Sequence, residues 1–503
     1  MTRRHFIHGC GASAAAAQIR RPSVLFLMAD QLRFDCLGVN GNPILRTPNL
    51  DRLATEGANF GSALVQSPVC VPSRISFFTG RYPHSHKNRV NYTPCDPREV
   101  LAQRIFQQAG YRTGSAGKLH LYPPTAEHAR STGFEVVHLD DGVAATDRYS
   151  DYVRWRNAHD PQAPTPYQAA VRNPAPGKNP FRAQLEYQYT PTAWVGSKTR
   201  ELLREFAASP QPFFLYASFF KPHAPHTVPQ PYDAMYDQAD IPLPARVILE
   251  DLRRLPPPVQ ALILRGRPEY DMDRTRLQWI YRSYYAGVSM VDHEVGLILE
   301  ELERSGRAGD TIVILSTDHG DQLLEHGLQG KNVFFEASLR IPLVARLPGR
   351  IRPGRYRELI ETVDVLPSLL DLCGLPAPLN CQGRSFAGLV TGGAYAAREA
   401  AFAENIIPEV ITGGSLDMPF VPGRGVGGIR HPDAKMVRTP RFKLNYYPGH
   451  GGELYDLEED PGETRNLYRD PSRGSVVREL EGRLLDWMIT ADETDQIAER
   501  WRV

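Results

Sequence analysis

The sequence predicts an α/β fold: a large, mostly parallel mixed sheet sandwiched by helices, with a smaller α+β subdomain toward the C-terminal end. Three observations predict it. Strand-length apolar runs recur without polar alternation, amphipathic helical patterns lie between them, and the texture of the chain changes from about Glu399. A strand buried on both faces has no solvent side to mark, so it reads as an unbroken apolar run, as expected when helices cover both faces of a sheet.

In chain order, the first such run is Ser23–Ala29 (SVLFLMA), followed at once by polar residues. Pro212–Ser218 (PFFLYAS) and Thr311–Ser316 (TIVILS) have the same character, and Ile341–Ala345 (IPLVA) is a shorter example. Val291–Ser305 places Val291, Val295, Ile298 and Leu302 at helical spacing, and Gly306 stops it. Beyond Glu399, Phe442–Tyr447 (FKLNYY), Glu453–Leu457 (ELYDL), the turn Asp460-Pro461-Gly462 and a helical tail over Val476–Met488 form the smaller unit. The expected boundaries are 22–398 for the large domain and 399–503 for the subdomain. Gly413–Gly428, rich in Gly and Pro, reads as a loop over the pocket.

Bulk properties narrow the function. The 503 residues are 42% hydrophobic and 23% charged, an ordinary globular balance. Lys+Arg at 58 against Asp+Glu at 57 leaves no basic bias for a nucleic-acid surface, so positive charge for an anionic substrate must be local to a pocket. No apolar run approaches the ~18 residues of a membrane-spanning helix. The six cysteines include no CxxC pair, which argues against a zinc module or a disulfide scaffold. Cys373 and Cys381 are open to either reading, a disulfide or two free buried thiols. Thr2-Arg3-Arg4-His5-Phe6-Ile7 resembles a twin-arginine export motif and Gly11–Ala17 is a small-residue stretch suited to cleavage. Residues 1–21 are thus expected to be a signal peptide and the mature protein periplasmic or secreted.

Ligands of open parallel sheets sit beyond the carboxyl ends of the strands. Asp30 and Gln31 follow the first run, Lys221 and His223 follow the second after Phe219-Phe220, and Asp318 and His319 follow the third. Three separate strands therefore deliver metal-ligating or acid–base residues to one edge.

Cys70-Val71-Pro72-Ser73-Arg74 with Thr79-Gly80-Arg81 spells C-x-P-S-R-x-x-x-x-T-G-R. The segment resembles the signature of the type I, formylglycine-dependent sulfatases of the alkaline phosphatase superfamily. Gly117-Lys118-Leu119-His120, Lys221-Pro222-His223-Ala224-Pro225, Thr317-Asp318-His319-Gly320, Gly330-Lys331 and Glu453–Leu457 resemble further motifs of the family, so the likeness spans nearly the whole mature chain. The resemblance implies a sulfatase-like sheet and hydrolysis of sulfate esters. It implies oxidation of Cys70 to formylglycine by a formylglycine-generating enzyme, and one divalent metal held by Asp30, the modified Cys70, Asp318 and His319. Carboxylate and hydroxyl oxygens suit Ca²⁺, with Mg²⁺ and Mn²⁺ as alternatives.

The chemistry explains the modified residue. A hydrated aldehyde carries two hydroxyls on one carbon. One attacks sulfur and displaces the alcohol; loss of the proton from the other then expels sulfate and restores the aldehyde. Pro72 is expected to open a helix, which sets the nucleophile at a helix N-terminus. On the family pattern Arg74 bonds the hydrate, Lys118 and Lys331 bind sulfate oxygens, and Lys221, beside His223, is a further substrate-binding residue. His120 takes the proton that triggers sulfate release, and His223 protonates the leaving alcohol. Gln31 departs from the second aspartate of many sulfatases and is either a neutral ligand or a substrate contact.

Asn91 follows Cys70 at the spacing of a substrate-binding asparagine in the phosphonate- and choline-ester branch. Gln31, His319 and Asn91 lean toward a phosphonate monoester or phosphodiester hydrolase, whereas Lys118 and His120 lean toward a sulfatase. The expected partner is a sulfated small molecule or glycan. A dead sulfatase scaffold that binds glycans is the reading from another class, set against competent residue types at every expected catalytic position.

Overall fold

In the computed structural model, which describes residues 21–142, 149–160, 179–244, 252–270, 273–328, 330–406 and 433–492, the first apolar run forms β1 (Ser23–Asp30), buried along its whole length. Its alternate residues feed two separate cores. Val24, Phe26 and Met28 enter one, while Leu25, Leu27 and Ala29 enter the other. That division is the physical content of a strand sandwiched between helical layers.

Seven further strands complete the sheet: β2 (Ala58–Leu64), β3 (Arg112–Gly117), β4 (Val136–Leu139), β5 (Phe213–Pro222), β6 (Thr311–Ser316), β7 (Arg340–Arg346) and β8 (Gly354–Glu361). Their order is β4-β3-β5-β1-β6-β7-β2-β8. Every neighbouring pair is parallel except the two that involve β7, which runs against β6 and β2. The reversal matters for function. A connection from β6 to an antiparallel β7 need not cross the sheet, so the described residues between them (317–328 and 330–339) stay at the carboxyl edge of β6.

Helix α1 (Cys70–Thr79) lies on the face that receives Phe26, burying Val71, Ile75, Phe77 and Phe78 there. On the opposite face lie α2 (Pro191–Ala207), whose Thr190 hydroxyl caps it by accepting from the Ala193 N–H, and α3 (Arg274–Arg304). α3 extends well ahead of the Val291–Ser305 expected from periodicity. Its first half (Leu277–Met290) is buried nearly all round, so no polar stripe marks the helical period.

A second, antiparallel sheet has the order β12-β11-β10-β9, built from β9 (Ala401–Ile406), β10 (Asp433–Arg438), β11 (Phe442–Tyr447) and β12 (Gly451–Asp456). One face (Ala401, Ala403, Met436, Tyr447) joins the core under α1; the other (Val437, Leu444, Leu454) packs against Leu480, Leu484 and Trp487 of α4 (Gly474–Asp492). Buried polar groups fasten the two sheets. Glu361 at the end of β8 accepts from the Tyr82 hydroxyl (2.7 Å) and the Phe402 N–H (2.7 Å), and Arg398 pairs with both Glu361 (2.9 Å) and Asp364. Among the described residues no helix is long and apolar enough to cross a membrane. Cys373 and Cys381 are free thiols, facing the carbonyls of Pro22 and Gly80 respectively. Residues 1–20 of the expected leader and the Gly413–Gly428 loop lie outside the described residues.

Removing Arg398 would leave two carboxylates buried without their counter-charge. Arg398→Ala is expected to cost about 3–5 kcal/mol of stability, read as a lower urea midpoint. A loss under ~1 kcal/mol, the size of an exposed pair, would contradict this account of how the sheets are joined.

Candidate active site

The chain turns sharply after β1 and after β6, and the two turns hold each other. Gln31 adopts a left-handed backbone (φ 67°), a costly conformation for a residue with a side chain. Three contacts impose it. The Gln31 N–H donates to Asp318 Oδ1 (3.1 Å), the Leu32 N–H donates to Thr317 Oγ1 (3.0 Å), and the Tyr284 hydroxyl of α3 donates to the Gln31 carbonyl (2.7 Å). Cys70 is the first residue of α1 and is fully buried beneath these turns; Pro72, expected to open the helix, sits in its first turn. The Val71 N–H, one of the unpaired donors of a helix start, is taken by Asn91 Oδ1 at 3.0 Å.

One ligand atom each from Asp30, Cys70, Asp318 and His319 lies within 4.8 Å of all the others, and all four residues are buried. Two details show that this group fits a cation. Asp30 Oδ1 is buried without a hydrogen-bond partner, which leaves it free to meet a cation. His319 Nδ1 lies 2.9 Å from the Gly320 carbonyl, which places the ring hydrogen there and leaves the Nε2 lone pair facing Cys70 Sγ at 3.2 Å. Two carboxylates and one imidazole, with the side chain of Cys70 beside them, make a donor set for one hard or borderline divalent ion.

Arg74 lies beneath this cluster with no solvent exposure. Its Nε donates to Asp318 (2.8 Å) and Nη2 to Asp30 (3.1 Å), while Nη1 reaches the Lys118 carbonyl (2.9 Å), Ser218 Oγ (3.0 Å) and Tyr216 Oη (3.1 Å). The family pattern puts Arg74 on the hydrate at position 70; in the structure its hydrogen bonds go to the two carboxylates and the β3–β5 edge.

Above the cluster the charge is positive. Lys331 Nζ stands 3.0 Å from Cys70 Sγ, 3.1 Å from Gln31 Oε1 and 3.2 Å from His223 Nε2. Lys118 Nζ reaches Asp30 Oδ2 at 2.5 Å and lies over the Phe220 ring. These ammonium groups set the protonation of their neighbours. Burial pushes the Cys70 thiol up, but Lys331 and then Lys118 outweigh it and hold it well below the usual thiol range. Burial likewise raises Asp30, and Lys118, with Arg74, overcomes it, so the carboxyl stays ionised. Burial and Lys331 both push His223 far below an ordinary imidazole. Its Nδ1 lies 2.6 Å from the Ala224 carbonyl, so Nε2 is the atom that faces Lys331.

Other expected residues make their hydrogen bonds elsewhere than at position 70. The main-chain N–H groups of Leu119 and His120 donate to Asp141 Oδ1 (3.0 and 2.9 Å); the His120 ring meets Tyr92 edge-on, and its buried Nδ1 has no partner. Lys221 donates to the Pro225 carbonyl at 2.5 Å rather than to the cluster, and burial lowers it to about 7. Two carboxylates absent from the expected set have clear roles: Asp141 holds the Lys118–His120 turn, and Asp321 receives Gln31 Nε2. Asp321 directly follows the Thr317–Gly320 motif, and that position was its only signal.

The Sulfatase family model matches residues 22–375. The chain belongs to the sulfatase family. Its class of activity is sulfuric ester hydrolysis. An arylsulfatase of Clostridium perfringens is 29% identical over 92% of this chain and 95% of its own length. A choline-sulfatase of Rhizobium meliloti is also 29% identical, over 91% of this chain and 84% of that protein. Among solved structures, a phosphonate monoester hydrolase from Silicibacter pomeroyi superposes with a TM-score of 0.80 at 25% identity, covering 95% of this chain and 97% of that one.

Arg74 cannot be replaced by a single ammonium, because its donors diverge toward two carboxylates at once. Arg74→Lys is expected to weaken divalent-cation binding at least ~10-fold, measured by calorimetric titration of chelator-treated protein with Ca²⁺, Mg²⁺ and Mn²⁺ in turn. An unchanged affinity would mean that the guanidinium does not organise the two carboxylates.

Proposed function

We propose that this sulfatase cleaves its esters through a formylglycine made from Cys70, next to one divalent cation held by Asp30, Asp318, His319 and the modified residue. The convergence on position 70 is the observation that carries the proposal. His319 Nε2 lies 3.2 Å away on the cation side and Lys331 Nζ 3.0 Å away on the substrate side. The modified residue would supply the paired hydroxyls described above, and the cation would favour their ionised form and withdraw charge from the sulfate.

The chain's own residues then have distinct tasks. Lys118 and Lys331 flank position 70 and neutralise the sulfate oxygens as negative charge develops. Arg74 keeps Asp30 and Asp318 apart and oriented. His223 Nε2 faces the substrate side, and an anionic ester beside Lys331 offsets the charge that depresses this imidazole, allowing it to carry a proton to the departing oxygen. His120, half-buried with a free Nδ1, receives the proton that is lost when sulfate leaves. Asn91 supports α1 at the residue after the nucleophile.

A phosphonate monoester or phosphodiester hydrolase is the second reading. Gln31 at the end of β1, His319 and the superposition on a phosphonate monoester hydrolase favour it; the ammonium groups of Lys118 and Lys331, placed to meet a tetrahedral anion, favour sulfate. Comparison of kcat/KM for 4-nitrophenyl sulfate and 4-nitrophenyl phenylphosphonate decides. Preference for the sulfate supports the proposal, and a preference for the phosphonate by ~10-fold or more would replace it.

The role of His223 is tested by varying the leaving group. A nitrophenolate departs without a proton, whereas an alkoxide does not. His223→Ala is expected to lower kcat/KM ~100-fold or more on an alkyl sulfate and under ~10-fold on 4-nitrophenyl sulfate. Equal losses on both would assign the proton to another group.

A further inference from the structure

The amide of Gln31 is held in one orientation, and the group that holds it is Asp321. Asp321 is buried, and its two carboxylate oxygens have different partners. Oδ1 accepts the N–H groups of Leu323 (2.7 Å) and Gly330 (3.1 Å), while Oδ2 receives Gln31 Nε2. Its main-chain carbonyl accepts from Arg33 Nη1 at 3.0 Å, so the residue is fixed at both ends. With Nε2 committed to Asp321, Gln31 can present only its carbonyl oxygen to the site. That oxygen meets Lys331 Nζ at 3.1 Å, and the same ammonium stands 3.0 Å from position 70.

We infer that Asp321 is a positioning residue for the sulfatase reaction: through the amide of Gln31 it fixes the ammonium of Lys331 over the nucleophile. The inference rests on the proposed role of Lys331 at position 70. It also gives Gln31 a task in this chain, since a side chain with a donor on one end and an acceptor on the other relays polarity from a carboxylate to a cation. An aspartate at position 31 would be too short for both contacts and would face the Asp321 carboxylate with like charge.

The relay makes an unusual demand on its variants. In Asp321→Asn the main-chain N–H groups of Leu323 and Gly330 still require an acceptor, so the new amide must keep its oxygen on them and turn its NH2 toward Gln31. Two donors then face each other, Gln31 must turn over, and its NH2 confronts the Lys331 ammonium and drives it from position 70. Adding Gln31→Glu restores acceptors on both sides: one oxygen takes the NH2 of residue 321 and the other takes Lys331. The D321N/Q31E pair has the same net charge as the original pair.

The test uses the full chain carrying formylglycine. D321N is expected to lower kcat on 4-nitrophenyl sulfate ~30-fold or more, and D321N/Q31E to recover at least ~10-fold of that loss. A loop brace with no link to Lys331 would show no rescue by a change at position 31. A crystal structure of D321N gives a readout independent of turnover, with Lys331 Nζ displaced beyond hydrogen-bonding distance of residue 70. Full activity in D321N, absence of rescue, or Lys331 unmoved in the D321N crystal would each overturn the inference. If the unsubstituted protein carried formylglycine yet hydrolysed no sulfate ester, the proposed function would fail, and the position of Lys331 in the D321N crystal would still decide the relay.

Discussion

A guanidinium with no exposure to solvent, clamped between two carboxylates, is the contact on which the site depends. Asp30 ends β1 and Asp318 follows β6, and these strands are neighbours in the sheet, so their carboxylates are delivered close together. Two buried anions at that separation repel strongly in a medium of low polarity. Arg74 pairs with one oxygen of each and also gathers Ser218, Tyr216 and the Lys118 carbonyl from the neighbouring strands. It offsets part of the anionic charge and leaves Asp30 Oδ1 unpaired toward the cluster, so the residual negative charge is directed at one point. Because Arg74 and Cys70 share a helix one turn apart, the same element that steadies the carboxylates also places Cys70, the proposed nucleophile.

Around that point the site is layered by charge. Arg74 lies beneath, the carboxylates and His319 in the middle, and Lys118, Lys331 and His223 on the substrate side. The layering allows a nearly neutral chain to receive an anion. The attraction is confined to two ammonium groups near position 70 and needs no basic surface, in keeping with 58 basic against 57 acidic residues overall. The antiparallel β7 contributes as well, since it keeps the segment carrying Asp318, Asp321 and Lys331 on a single edge of the sheet.

The parts of the fold legible in the sequence are those where burial is symmetric. β1, β5 and β6 are apolar on both faces and stand out as unbroken runs. β3, with the sequence RTGSAG, does not, because its packing excludes large residues: a Cβ on Gly117 would lie 2.0 Å from the Ser218 carbonyl oxygen, and one on Gly114 would strike the Phe206 ring. Gly117 also has φ +93°, and its freedom lets the chain turn into Lys118. The metal-ligand residue types were legible because strand ends and motif coincided on them. Side-chain directions were not. Lys221 lies in a motif with His223, yet it turns to the Pro225 carbonyl beside Gly287 of α3. Asp321 had no signal beyond its place directly after the Thr317–Gly320 motif, because the role inferred for it lies in which atom of Gln31 it holds.

The account stands or falls on the chemical state of position 70. Mass spectrometry of the tryptic peptide Leu53–Arg74, from protein produced together with a formylglycine-generating enzyme, reads that state directly. The account predicts an aldehyde or its hydrate in place of the thiol, in protein that turns over a sulfate ester. An intact thiol in that peptide, in protein without sulfatase turnover, would contradict it and leave a sulfatase scaffold that binds its ligand without cutting it.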